Sequence, residues 1–295
     1  RQMCIRDRSF PVLMIGIFNV LPLIFMILIA FTNYDKQHMP PGTLFTWIGF
    51  DNFGSLFNLV EGAKKGYTFV KLTEWTLIWA VAATFSNYIL GMIFALMINK
   101  KGIKFKSLWR TLFVITIAVP QFVSLLLMNQ MLQSNGAVNI LLSHITNSHV
   151  EIQWLNDNAT LARWVVIIIN CWVGIPYTIL SMSGILMNIP EDLYESARID
   201  GAGVFRIFGT IVLPLLKPMI ATIVILNTLN VWNDFMGPLY FIQKREKDVI
   251  LQEVYRNIGQ FSTDWTSLFP MMVLGILPLL VFYIFMQKYI ISGVM

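Results

Sequence analysis

Six apolar stretches, each long enough to cross a lipid bilayer, constrain this chain more than any other feature. They are Phe10–Phe31, Trp75–Ile98, Thr111–Leu132, Trp164–Ile189, Ile211–Asn233 and Ser267–Gln287. A membrane-spanning helix needs about 20 consecutive residues that are predominantly apolar. The stretches therefore predict an all-α polytopic membrane protein with six transmembrane helices.

The composition agrees with this prediction and excludes most other classes of protein. Hydrophobic residues make up 56% of the chain and charged residues 13%, against about 25% charged residues in typical soluble domains. Such a chain is not expected to be disordered, a coiled coil, a disulfide scaffold or a nucleic-acid-binding protein. Cys4 and Cys171 form no disulfide or metal-binding pattern, and the histidines lie in polar loops, so we expect no metal and no cofactor.

The loop between the second and third apolar stretches determines the expected orientation. It carries Lys100, Lys101, Lys104 and Lys106 with no acidic residue. Because loops rich in lysine and arginine stay in the cytoplasm, this loop and both chain termini are expected on the cytoplasmic side. A basic group near position 245, on an outer loop, runs against this rule.

The chain lacks the motifs of an enzyme or of a self-sufficient pump. No G-x-x-x-x-G-K-[ST] sequence is present, so we expect no binding of ATP through a P-loop. The apolar stretches contain no series of ionisable residues of the kind that forms a proton relay or a voltage sensor. These observations favour a transport protein that is passive or powered by other subunits.

The most specific functional signal lies between the fourth and fifth apolar stretches. Pro190 ends the preceding helix, and Glu191 and Asp192 suit the first turn of a new helix. Gly201 and Gly203 end that helix again. The pattern predicts a short cytoplasmic helix with a small-residue surface that another protein can approach closely. An amphipathic helix resting on lipid headgroups is the alternative.

In this segment the sequence resembles the permease subunits of bacterial ABC importers. Glu195-Ser-Ala197, Gly201 and Ile211-x-Leu213-Pro214 match the signature E-A-A-x3-G-x9-I-x-L-P, with Ser196 as the departure. The resemblance implies a type I importer permease fold, with a tail at residues 1–9, a permease domain at 10–295 and a coupling loop at 190–214. It further implies that this loop docks in a cleft of a separate ATPase subunit. The coupling residues that it implies are Glu195, Ser196, Ala197, Asp200, Gly201, Ile211, Leu213 and Pro214.

Most of the chain resembles one branch of that family, the maltose/maltodextrin permeases. The segments similar to their first permease subunit are Phe31-Thr-Asn-Tyr-Asp35, Phe45-Thr-Trp-Ile-Gly-Phe-Asp-Asn-Phe53, Trp109-Arg-Thr111, Ala118-Val-Pro-Gln-Phe122 and Asn170-Cys-Trp-Val-Gly-Ile-Pro-Tyr177. After about residue 231 the sequence is more similar to their second permease subunit, as in Phe261-Ser-Thr-Asp-Trp265 and Gln287-Lys-Tyr-Ile-Ile-Ser-Gly293. The resemblance therefore predicts a mosaic of the two subunit types.

Two of the apolar stretches carry residues of the kind that binds sugars. Asn170 and Tyr177 lie seven residues apart and so share a face of the fourth stretch. Asn227, Asn230 and Asn233 form a stripe of amides along the fifth stretch. Aromatic rings and amides suit the faces and the hydroxyl groups of a sugar. Hydrogen bonding that joins the helices to each other is the alternative.

The resemblance implies a more specific site on these two stretches. Leu226 stands where the family has a hydroxyl residue, so the site is not identical to that of the maltose permease. The substrate-binding residues implied are Asn170, Trp172, Val173, Gly174, Tyr177, Asn230 and Asn233.

Together these features predict a permease subunit of a bacterial sugar importer that resides in the plasma membrane. It is expected to move maltose-like or maltodextrin-like oligosaccharides inward by alternating access. The expected partners are a second permease subunit, two cytoplasmic ATPase subunits, an extracytoplasmic solute-binding protein and the lipid bilayer, and no nucleic acid. An importer permease for another solute, such as glycerol 3-phosphate or another sugar, is one alternative. A phosphate group would require cations in the pathway, and the stretches offer none at the proposed sugar site. A secondary transporter acting alone is the other, but neither intramembrane carboxylates nor inverted repeats are evident.

Overall fold

The computed structural model describes residues 2–38, 41–57, 69–100, 102–156, 158–242, 245–259 and 263–294. Within them the chain is helical, and the extended pairing amounts to two isolated β-bridges. The α-helices in chain order are α1 Gln2–Ile15, α2 Leu21–Ile29, α3 Asp51–Phe57, α4 Phe69–Asn99, α5 Lys106–Ala118, α6 Gln121–Met131, α7 Ala137–Thr146, α8 Ala159–Leu186, α9 Glu191–Ile199, α10 Val204–Ile207, α11 Leu213–Trp232, α12 Met236–Phe241, α13 Ile250–Arg256 and α14 Trp265–Val294.

The prediction of an all-α, polytopic membrane protein is confirmed. Four described helical segments are long and apolar enough to cross a membrane on their own: Ser9–Ile29, Phe69–Asn99, Thr160–Leu186 and Trp265–Tyr289. Two bent pairs of helices bring the number to six if each pair is one span. The first pair is Lys106–Ala118 with Gln121–Met131, and the second is Val204–Lys217 with Ile220–Trp232.

The third predicted span, Thr111–Leu132, is divided at Pro120 into two helices. The helices α5 and α6 meet at an angle of 91°. Val119, between them, is extended with φ −76° and ψ 126°, because the ring of Pro120 disfavours a helical conformation for the residue before it. Pro176 stays inside α8 without such a break. Whether a proline interrupts a span therefore depends on its surroundings as well as on its identity.

The chain divides into two compact units, residues 1–74 with 249–278, and residues 75–248 with 279–295. In the first unit the polar segment after α2 folds around the ring of Phe31. That ring stacks on Trp47 with 5.3 Å between centroids. Asn52 fixes the same segment, since its Nδ2 donates to the carbonyl oxygens of Ala30 at 3.0 Å and Thr32 at 2.7 Å. Two of the motifs similar to maltodextrin permeases thus pack against each other.

In the second unit, glycines allow α4 and α8 to pack closely. A Cβ atom added at Gly91 would lie 2.5 Å from Cβ of Thr178, and one added at Gly174 would lie 2.6 Å from Nδ2 of Asn87. Small residues at helix contacts are the usual way in which membrane helices approach each other. The pair α4 and α8 therefore forms a tight framework for the polar residues described below.

The segment between α6 and α8 is organised by the side chain of Asn139, which is buried. Its Nδ2 donates to the carbonyl oxygens of Ser134 at 3.0 Å and Ile152 at 2.9 Å. Its Oδ1 accepts a hydrogen bond from the indole N–H of Trp154 at 3.0 Å. This asparagine holds the two ends of the segment together around α7.

Candidate coupling loop and translocation site

The short helix that the sequence predicts after Pro190 is present as α9. Glu191 and Asp192 occupy its first turn. At its end, the N–H of Ala202 donates to the carbonyl of Ala197 at 2.9 Å and the N–H of Gly201 to that of Arg198 at 3.0 Å. This pair of hydrogen bonds is a Schellman motif, which needs a left-handed residue. Gly201 supplies that conformation with φ +76°.

One side of α9 packs against the ends of the neighbouring helices. Ala197 is buried in a cluster with Ile189, Ile207 and Leu216, which belong to the segments before and after α9. Tyr194 packs against the same cluster, and burial raises the pKa of its phenol. The small side chain of Ala197 lets α9 lie close to the ends of these helices.

The other side of this segment exposes apolar side chains. Ile199, Val204 and Phe205 are 86%, 80% and 93% exposed. Glu195, on α9 itself, is also exposed. Large apolar side chains that are exposed beside charged residues are typical of a protein–protein contact. We refer to Ile199, Val204 and Phe205 as the apolar surface of the coupling loop.

The structure divides the predicted coupling residues between two locations. Ala197 lies in the packed cluster and Ile211 packs against it, whereas the remaining members are at the surface. Those exposed members are Glu195, Ser196, Asp200, Gly201, Leu213 and Pro214. The residues 208–212 form a π-helical turn between α10 and α11, an irregularity that is frequent at functional sites.

The second candidate site is a row of polar side chains inside the second unit. Asn87 on α4 donates from Nδ2 to Oδ1 of Asn170 on α8 at 2.9 Å. Asn170 donates in turn to Oδ2 of Asp234 at 3.2 Å. The other carboxylate oxygen of Asp234 accepts the N–H of Gly237 at 3.0 Å. The Oδ1 atom of Asn87 is buried and has no hydrogen-bond partner, so the row retains one unused acceptor.

The space beside this row is small. Asn170, Val173 and Asp234 border a cavity of about 10 Å³, together with Gln121 and Trp79. A cavity of that size holds at most a water molecule. The cavity beside this row is therefore too small for a sugar.

Most of the other residues predicted to bind sugar lie on the surface of the chain. Asn230 on α11 and Asn233, which directly follows α11, are exposed. Tyr177 on α8 is 52% exposed. The two helices are joined beside them, since Nδ2 of Asn227 donates to Oγ1 of Thr178 at 3.3 Å. Asn227 thus has the helix-joining role that was the alternative to sugar binding, whereas Asn230 and Asn233 remain accessible.

Trp172 and Gly174 are placed differently from the rest of the predicted set. Trp172 is exposed, but it lies two residues from Asn170 and so points to another side of α8. Gly174 makes room for Asn87 and not for a ligand. The structure therefore places Asn170 and Val173 beside the small cavity and uses Gly174 for the contact with Asn87. The remaining predicted residues, Trp172, Tyr177, Asn230 and Asn233, are exposed.

The sequence analysis did not select Asn87, Thr178 or Asp234. Each is a polar residue within or at the end of an apolar stretch, where polar groups are costly unless they are paired. This cost of an unpaired polar group is the sequence signal that could have identified all three residues as members of hydrogen-bonded contacts. Among the described residues, no group of three or more histidine, cysteine or acidic side chains is placed to hold a metal ion.

Residues 87–295 match the family described as binding-protein-dependent transport system inner membrane component. The chain is 36% identical over 232 residues to the galactooligosaccharides transport system permease protein of Bacillus subtilis (strain 168), covering 77% of this chain and 54% of that protein. It is 34% identical over 242 residues to the maltodextrin transport system permease protein of the same organism, covering 78% and 55%. The chain thus spans about half the length of the curated relatives that it matches.

Solved structures with the same fold include a bacterial ABC transporter involved in the import of the acidic polysaccharide alginate. The TM-score is 0.79 at 23% identity, and the match covers 97% of this chain and 94% of that one. A second structure, of the alginate transporter in complex with an alginate pentasaccharide-bound periplasmic protein, gives a TM-score of 0.77 at 20% identity, covering 98% and 94%. At these identities the likeness concerns the fold, which is that of ABC importer permeases.

Proposed function

Because the chain belongs to the family of binding-protein-dependent transport system inner membrane components, we propose that it is a permease subunit of an ATP-driven importer of neutral oligosaccharides. This family consists of transport components, which confirms the expectation of a transport protein and not an enzyme. The observation that carries the proposal is the coupling loop, in which a helix packed on the ends of α8 and α11 exposes apolar side chains on its other side.

The coupling loop would bind one of two ATPase subunits through its apolar surface, with Glu195 and Asp200 at the border. The cluster around Ala197 supports this role, because a displacement of α9 is transmitted to α8 and α11 through direct side-chain packing. Closure of the ATPases would then shift the helices that carry the polar row and the exposed amides. The energy for transport would come from ATP hydrolysed by the partners.

The proposed substrate is a maltodextrin-like or galactooligosaccharide-like sugar. Two relatives at 36% and 34% identity are named for these two substrate classes, and the chain alone does not favour one linkage over the other. Tyr177, Asn230 and Asn233 would contact the sugar from the surface of α8 and α11. Since these residues are exposed in the single chain, a second permease subunit would complete the path and close it from the membrane.

The small cavity beside the polar row supports a route between two permease subunits that opens alternately to the two sides of the membrane. The bond from Nδ2 of Asn99 to Oγ of Ser183, at 3.0 Å, places the basic loop after α4 and the coupling loop after α8 at one end of the second unit. We propose that this end, with both chain termini, faces the cytoplasm, and that a solute-binding protein docks at the opposite end.

The test is reconstitution of the chain with a maltodextrin-type partner permease, ATPase subunits and binding protein. ATPase activity should rise when the binding protein is loaded with maltodextrin or with galactooligosaccharide, and not with the empty binding protein. A complex that assembles but responds to neither sugar would support the coupling role and contradict the proposed substrate class. Failure to assemble with either type of partner permease would overturn the proposal.

A further inference from the structure

Two cationic side chains converge on Asn99, the last residue of α4. Nζ of Lys106 donates to the carbonyl oxygen of Asn99 at 3.0 Å, and Nη2 of Arg110 donates to its Oδ1. Asn99 is itself fixed, because its Nδ2 donates to Ser183 at 3.0 Å and to the carbonyl of Ala95 at 2.8 Å. The two cations are thus held together at the junction of α4, α5 and α8.

Asn99 is uncharged and does not neutralise the positive charges of Lys106 and Arg110. Residues 99–118 contain no aspartate or glutamate, and within the described part of the chain neither Lys106 nor Arg110 pairs with a carboxylate. The Nε atom of Arg110 is buried and has no hydrogen-bond partner. A guanidinium with unused donors beside a second cation attracts an anion, and phosphate suits its geometry.

The surface beside the two cations is apolar. Trp109 and Val114, which flank Lys106 and Arg110 around the helix α5, are 48% and 43% exposed. Tryptophan is enriched where a membrane protein meets the headgroup layer, and basic pockets between membrane helices bind anionic headgroups. The anion that this place fits is therefore one that carries hydrocarbon chains.

We infer that Lys106 and Arg110, held by Asn99, bind the phosphate of an anionic phospholipid whose acyl chains lie along the exposed apolar side of α5. The bound lipid stabilises the α4–α5–α8 junction, next to the end of α8 from which the coupling loop starts. This site is separate from the coupling loop and from the proposed sugar contacts, and it does not depend on which solute is transported.

The test is retention of phosphatidylglycerol by the purified full chain, measured by native mass spectrometry against phosphatidylcholine of the same acyl composition. The wild-type chain should retain phosphatidylglycerol in preference to phosphatidylcholine. The change Arg110→Gln should lower that retention about ten-fold, because it removes a charge-assisted contact to phosphate. Lys104→Gln is the matched control, since Lys104 lies just before α5, is exposed and carries the same charge.

A second variant keeps both cations and tests the site even if Arg110→Gln does not fold. Asn99→Asp places a carboxylate where the amide oxygen receives Arg110, so it should compete with the phosphate and abolish the preference for phosphatidylglycerol. Equal losses for Lys104→Gln and Arg110→Gln would overturn the inference in favour of diffuse attraction. So would retention of inorganic phosphate, supplied at millimolar concentration, equal to the retention of phosphatidylglycerol. A preference for phosphatidylglycerol that persists in Asn99→Asp would overturn it as well.

Discussion

The side chain of Asn170 donates a hydrogen bond from Nδ2 to Oδ2 of Asp234 at 3.2 Å, across 64 positions of sequence. It joins α8 to the segment that follows α11, and the bond from Asn87 extends the connection to α4. Three separate parts of the second unit are thus linked through amide and carboxylate groups in an apolar surrounding. A pairing of this kind resists separation of the helices, because the freed groups would remain buried.

Asp234→Ala should destabilise the chain by about 1–3 kcal/mol, the usual cost of leaving buried polar partners without their hydrogen bonds. The partners affected are Asn170 and the N–H of Gly237. Thermal unfolding in detergent measures the effect. Asn233→Ala is the matched control, because the neighbouring Asn233 is exposed and its Nδ2 donates to the carbonyl oxygen of Leu229 on the preceding turn of helix. Equal melting temperatures for the two variants would contradict the role of Asp234.

Gly174→Ala should lower the melting temperature, because the added Cβ would lie 2.6 Å from Nδ2 of Asn87. Overpacking of this kind costs about 1–3 kcal/mol. Gly184→Ala, on the same helix, is the control, since nothing lies within 4 Å of a Cβ added there. Combining Gly174→Ala with Asn87→Ala should recover part of the loss, and a strictly additive result would argue against a direct contact.

Gly201→Ala should abolish transport while leaving membrane insertion intact, because alanine disfavours the left-handed conformation that ends α9. The strain of about 1–2 kcal/mol acts on the turn that positions the coupling loop. Gly201→Asn should retain more activity, since asparagine tolerates this conformation. Gly203→Ala is the control, with φ −69° and open space around the added Cβ. Uptake in the reconstituted complex is the measurement, and normal uptake by Gly201→Ala would remove the coupling assignment.

Phe205→Ser should weaken binding of the ATPase subunits without lowering the melting temperature of the chain. The ring is 93% exposed, so it contributes little to folding, whereas buried aromatic residues contribute strongly to protein–protein contacts. Co-purification with the ATPase measures the effect. The control is Leu44→Ser, at an exposed position of the first unit. Undiminished co-purification would show that the apolar surface of the coupling loop is not the contact.

Glu195→Ala should likewise abolish transport and leave insertion intact. Glu195 is exposed on α9, so its loss should act on the contact with the ATPase and not on the packed cluster. Uptake and ATPase stimulation in the reconstituted complex are the measurements, and Glu191→Ala on the same helix is the control for the loss of one negative charge. Uptake equal to wild type in Glu195→Ala would exclude it from coupling.

The family match over residues 87–295 confirms the resemblance to ABC importer permeases. The resemblance could be found from the sequence because the signature around Glu195 and Gly201 is short and local. The sequence of this segment also predicted its local structure. A proline before it and a glycine after it act on the backbone of their immediate neighbours, and α9 begins and ends beside them. The assignment of coupling and sugar-binding roles to single residues stays a prediction, as does the change of subunit type near residue 231.

The sequence by itself determined that this is a multi-pass, all-α membrane protein with a short helix between the fourth and fifth apolar stretches. The lengths of the apolar stretches and the positions of prolines and glycines are sufficient to predict these helices. The reason is that a membrane-spanning helix forms its backbone hydrogen bonds within its own segment. The tertiary structure decided which polar residues meet. Asn87 and Asn170 are 83 positions apart, and their contact exists because Gly174 lets α4 and α8 approach. Likewise, Asn227 became a link between helices while Asn230 stayed exposed, since the packing of α11 against α8, and not the amide itself, determines which face is buried.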